Sequence, residues 1–104
     1  MTASPIWITE ADVVRLINLP DAINALERTL PLEARDHAAS MPKTHLMVGS
    51  NDAMHAIGGA VSAEGICGFK TWINVQGKSE TTMTLFSLRD GTCLGVIEAT
   101  ALGR

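Results

Sequence analysis

The chain has 104 residues, which fits one domain spanning 1–104 and leaves no room for a second of ordinary size. With a formal charge of -3, scattered Lys and Arg residues, two Trp, two Phe and no Tyr, it has neither a basic surface nor a base-stacking platform, which excludes nucleic acid as a partner. No run approaches the roughly 18 apolar residues of a membrane span, and the N-terminus lacks a signal-peptide pattern, so a cytoplasmic protein is expected.

Ile6 to Ile8 predict a short strand, and Thr9, Glu10 and Asp12 after it read as an N-cap and an acidic first turn. Val13, Leu16 and Ile17 recur at helical spacing, and Leu19-Pro20 ends that helix before Asp21 caps a second. The second helix carries Ile23, Leu26 and Leu30 on one stripe, then meets Pro31, which is expected to kink or restart it, with the remainder reaching about His37.

Beyond Ser40 the pattern becomes β-rich, with five expected strands: Lys43 to Val48, Met54 to Ser62, Ile66 to Asn74, Thr81 to Leu88 and Thr92 to Ala99. Their connections carry turn chemistry in 49–52, 77–80 and 89–91, of which Arg89-Asp90-Gly91 is the strongest hairpin signal. The expected fold class is α+β: two N-terminal helices followed by a mostly antiparallel sheet.

The sequence patterns of several chemistries are missing. His37, His45 and His55 form no H-x-x-x-H pair, and Cys67 and Cys93 form no C-x-x-C, so no metal site is expected. The cysteines read as two reduced, largely buried thiols. There is no G-x-S-x-G elbow, no P-loop and, among nine glycines, no G-x-G-x-x-G, so no cofactor-binding residues are assigned.

The order of Leu19-Pro20-Asp21-Ala22, Met41-Pro42, Gly68-Phe69-Lys70 with Asn74, Thr82 in its Thr-rich run, Arg89-Asp90-Gly91-Thr92 and Ile97 to Leu102 resembles the start of the ornithine cyclodeaminase/mu-crystallin family. The resemblance covers essentially the whole chain. It implies a substrate-binding domain whose sheet makes a homodimer or higher homo-oligomer, followed in relatives by a Rossmann domain that holds NAD or NADP. The expected function is the substrate-side domain of an NAD(P)-dependent amino-acid or imine dehydrogenase or deaminase, truncated before its cofactor half and catalytically incomplete alone. The alternative is a stand-alone homo-oligomeric binding or assembly module derived from that domain.

The resemblance also ranks residues for a small amino or imino acid. Lys70 matches the family lysine beside the reacting carbon and is the expected catalytic and substrate-binding residue; otherwise it is an edge-strand lysine in solvent. Thr82 matches a position that helps hold the substrate carboxylate, and equally suits simple β-propensity. Lys43 falls where several members have an arginine; it supplies charge but not a bidentate fork, and the alternative is a solvated lysine at a strand start. The cyclodeaminase subgroup has a glutamate where this chain has Ile57, which counts against ornithine. His55 nearby is a replacement acid or a surface histidine. A further family arginine falls beyond Thr100, so its role is not carried to Arg104.

Overall fold

The computed structural model describes residues 5–16 and 19–101; expectations that fall on Ile17, Leu102 and Arg104 lie outside them. Strand β1 (Ile6–Ile8) leads into helix α1 (Glu10–Leu16), followed by α2 (Leu19–Ala34). The strands are β2 (Ala38–Ser40), β3 (Thr44–Val48), β4 (Asp52–Val61), β5 (Ile66–Val75), β6 (Lys78–Ser87) and β7 (Cys93–Glu98), with a 3-10 turn at Ser62–Glu64. They form one sheet in the order β1-β7-β6-β5-β4-β2, with β3 also paired to β4. Every pairing is antiparallel except β1 with β7. The α+β expectation therefore holds.

The helix starts are local chemistry. Thr9 caps α1: its hydroxyl accepts from the Asp12 amide at 3.2 Å, and the Asp12 carboxylate accepts from the Thr9 amide at 3.1 Å. This reciprocal box satisfies two amides that the first turn leaves without helical partners. In α2 the helix begins at Leu19, so Pro20 and Asp21 lie in its first turn instead of before it. A proline is tolerated there because the first-turn amides have no intrahelical acceptor, and Asp21 complements the helix dipole. Pro31 does not end α2, which continues to Ala34 with one i→i−4 donor missing. The chain then turns through Asp36 at φ 60 into β2, a strand the sequence reading assigned to helix and loop.

The turn between β5 and β6 is tighter than the 77–80 connection expected. Val75 pairs with Lys78, leaving Gln76 at φ 51 and Gly77 at φ 80 as a two-residue loop. Two consecutive positive φ values are the signature of the type I′ hairpin, whose twist matches the strands it joins. Lys78 to Glu80 thereby become strand residues. Gly95 has a different reason to be glycine: a Cβ there would lie 2.7 Å from the Ile6 carbonyl oxygen, so β1 docks on β7 only across a bare backbone.

Register sorts the side chains onto two faces, because neighbours along a strand alternate. On one face, His45, His55, Trp72 and Thr81 form a row across the sheet, beside a row of Ile57, Lys70, Met83, Ile97 and Ile8. We call this the lysine face. The other, the threonine face, carries Leu46, Met54, Ile73 and Glu80 in one row and Thr44, Ala56, Thr71, Thr82 and Glu98 in the next. Among the described residues the buried apolar side chains are only Val13, Ala38 and Ala99. Cys67 and Cys93 are free and half-buried.

Candidate functional site

The middle of β5 places Lys70, Trp72 and Asn74 on the lysine face by simple alternation, and the β4 register brings His55 beside Trp72. The His55 and Trp72 rings stack with centroids 4.7 Å apart and planes 9° from parallel, and His45 continues the stack at 5.9 Å from His55. Two ammonium groups converge on the same indole. Lys70 Nζ lies 4.7 Å from the Trp72 ring centroid and Lys43 Nζ 5.5 Å, both within cation–π range. Neither lysine forms an ion pair among the described residues, where the salt bridges are Arg15–Asp12 and Arg28–Glu64.

A polar relay fixes the histidine. Ser79 Oγ donates to Asn74 Oδ1, which leaves the Asn74 amide nitrogen to donate to His55 Nε2 at 3.2 Å. His55 Nε2 is then the acceptor, and in the neutral ring the proton sits on Nδ1, which is buried and without a hydrogen-bond partner. Desolvation pushes the His55 pKa below its ordinary value, and the charges of Lys43 and His45 push it further down. The sign of the pH effect follows. The unfolded chain takes up this proton near pH 6.5 and the folded chain only at lower pH, so stability is full above 6.5 and falls as pH drops through the folded value. Urea unfolding at pH 7.5 and pH 5 is expected to show a midpoint loss on acidification that His55→Gln reduces. An equal loss in both proteins would count against the assignment.

Lys43 and Lys70 thus share one face and one aromatic neighbour, while Thr82 does not join them. Its Cα partners are Thr71 and Glu98, it lies on the threonine face, and its hydroxyl is 3.0 Å from that of Thr71. Ile57 pairs directly with Lys70, so the position where a carboxylate would oppose the lysine is apolar. Sequence reasoning named Asn74 only as a strand end and within the resemblance, and gave Trp72, Asn74 and Ser79 no role in a site. The i, i+2, i+4 spacing of Lys70, Trp72 and Asn74 was the available signal; the cross-strand partners His55 and Ser79 depend on register, which that spacing does not reveal.

The lysine face also carries a groove of about 340 Å³ beside Lys70, bounded by Ile57, Gly59, Gly68, Met83 and Leu85. An ammonium at the rim of an apolar groove is chemically suited to holding the carboxylate of a small organic acid while its carbon skeleton rests on the apolar side chains.

No family model and no curated protein matches this chain. Solved structures do match it. A probable ornithine cyclodeaminase from Bordetella pertussis Tohama I superposes with a TM-score of 0.88 at 21% identity, covering 96% of this chain and 32% of that one. The iminosuccinate reductase of Paracoccus denitrificans, in complex with NAD+, gives 0.86 at 18% identity, covering 94% and 33%. An archaeal alanine dehydrogenase dimer with bound NAD gives 0.84 at 26% identity, covering 94% and 32%. The chain therefore has the fold of the N-terminal part of ornithine cyclodeaminase-like proteins and spans about a third of their length.

Proposed function

We propose that this chain is the substrate-side domain of an NAD(P)-dependent amino-acid or imine dehydrogenase or deaminase, holding a small amino or imino acid by its carboxylate. The observation that carries this reading is the pair of ammonium groups, Lys43 and Lys70, that meet over Trp72 with neither in an ion pair among the described residues, Lys70 also lining an apolar groove. Its support from relatives is the shared fold with a reductase and a dehydrogenase whose structures contain NAD. Lys70 contacts the bound acid, Lys43 adds charge, and Ile57 opposite Lys70 gives a substrate's own ammonium no carboxylate to pair with. Ornithine is disfavoured on that ground.

The chain's residues do not fit the nucleotide. The strand-to-helix junction at β1 and α1 is where a pyrophosphate would meet helix amides, but two of those amides are already taken: Asp12 N by Thr9 and Glu10 N by the Glu98 carboxylate. The first turn is moreover acidic, with Glu10 and Asp12. In this reading the nicotinamide is held by a separate nucleotide-binding domain, and the contribution of residues 1–104 is to bind and orient the acid.

Titration of L-alanine or pyruvate into the chain, followed by NMR shifts of Lys70 and Trp72, is expected to give saturable binding that Lys70→Ala weakens by about tenfold, the loss of one charge-assisted contact. NAD(P)H-dependent turnover by the 104-residue chain alone would overturn the reading, as would unchanged binding in Lys70→Ala.

A second reading, a homo-oligomeric binding or assembly module, is favoured by a different observation. The accessible surface is 7643 Å², whereas a compact monomer of 11.0 kDa exposes about 5,600 Å². The excess of about 2,000 Å² is more than one partner contributes to a standard interface. The two readings are compatible, because the threonine face exposes apolar side chains such as Leu46, Met54 and Ile73 while Lys43 and Lys70 meet over the other face.

A further inference from the structure

Resting on the substrate-side reading, we propose that the ligand of the lysine face carries two carboxylates: a short dicarboxylic amino, imino or oxo acid. Lys43 and Lys70 reach the Trp72 ring from different parts of the chain, one from the segment between β2 and β3 and one from the centre of β5. A lysine ammonium is a compact point charge, unlike the planar fork with which one arginine grips both oxygens of a carboxylate. Two lysines on separate elements therefore present two single-point anion sites. The indole satisfies one side of each ammonium through a weak contact and leaves its other N–H groups free.

Charge balance leads to the same ligand. The lysine-face residues that flank Lys70 and Trp72 in the register are His45, His55, Ile57, Asn74, Thr81 and Met83, and no carboxylate is among them. The nearest acidic residues on these strands, Asp52 and Glu80, lie on the opposite face, and Asp52 already accepts from the Gln76 amide at 3.1 Å. A monocarboxylate carries one negative charge against the two positive ones of Lys43 and Lys70. A dianion neutralises both.

The test compares succinate with butyrate, which share four carbons and differ by one carboxylate, titrated into the chain at low ionic strength and followed by calorimetry. Succinate is expected to bind at least tenfold more tightly. Lys43→Ala should bring the two acids to within about twofold of each other, chiefly by weakening succinate, and Lys43→Arg should restore the preference. Equal affinities in the unmodified chain would overturn the two-carboxylate assignment while leaving the substrate-side reading intact, as would a Lys43→Ala variant that weakens both acids alike. Absence of binding by either acid would overturn both.

Discussion

Replacing Glu10 with alanine is expected to lower the unfolding midpoint by about 10 °C. The Glu10 carboxylate accepts from the backbone amides of Thr100 at 2.6 Å and Ala101 at 2.9 Å, while its own amide donates to Glu98 Oε1 at 3.0 Å. Glu98 in turn accepts from Trp7 Nε1 at 2.6 Å. These bonds tie β1, the start of α1 and the end of β7 into one unit, joining segments some ninety positions apart in sequence. Hydrogen bonds to a charged acceptor contribute about 1.5–3 kcal/mol when part-buried, and about 2 kcal/mol in total for the pair at Glu10 is a conservative figure. For a domain of this length each kcal/mol moves the midpoint by roughly 4–8 °C. Glu10→Gln retains an acceptor but not the charge, so its loss should be smaller. Calorimetry checks the order alanine, then glutamine, then the unmodified chain; equal midpoints in all three would show that the clamp contributes nothing.

The same clamp has a pH signature. Its hydrogen bonds from Trp7 and from the Glu10 amide hold the Glu98 carboxyl below its ordinary pKa. A depressed carboxyl stabilises the fold above the unfolded value and loses that contribution as pH falls through the folded one. Glu98 therefore weakens the clamp in acid, over a lower pH range than the one in which His55 acts.

Local chemistry was legible in the sequence. Thr9 and Asp12 announced the cap of α1, alternation located β3 to β7 to within three residues at each boundary, and Asp90-Gly91 marked a turn in which Asp90 accepts from both the amide and hydroxyl of Thr92. What the sequence concealed depended on partners distant in the chain. Ala38–Ser40 has too few residues to show a period, and becomes a strand only because β4 offers Gly59 to Val61 as its ladder. Pro31 was given too much weight, since tertiary contacts of α2 with β2 and β4 carry the helix past a single missing donor. For the site, Lys70 and Lys43 were identifiable as candidates from the resemblance, but their meeting at Trp72 depends on β4 register and on the path of the 41–43 segment. Thr82 was separated from them by one step of strand parity, because neighbours on a strand point to opposite faces.

Ile73→Glu is expected to convert an oligomer into monomers, weakening self-association by at least about a hundredfold. The threonine face exposes Leu46 by 60%, Met54 by 48% and Ile73 by 46% in one apolar row across β3, β4 and β5, with Val48 at 50%, Phe69 at 44% and Val75 at 40% on the same face. Water is a poor neighbour for such a surface, and a second copy of the chain offers the same surface back, which is the requirement of a two-fold interface. Ile73 lies between Met54 on β4 and Glu80 on β6, so a glutamate there places an unpaired charge among apolar side chains and next to a like charge. Since Ile73 is already half exposed in the single chain, the substitution should leave the fold intact, with the circular dichroism of the variant matching that of the unmodified chain. Ile73→Val, which keeps the surface apolar, should keep the oligomer. Light scattering at micromolar concentration decides between the outcomes: an unmodified chain that is monomeric, or an Ile73→Glu variant of unchanged mass, would mean that this face is covered by something other than its own copy.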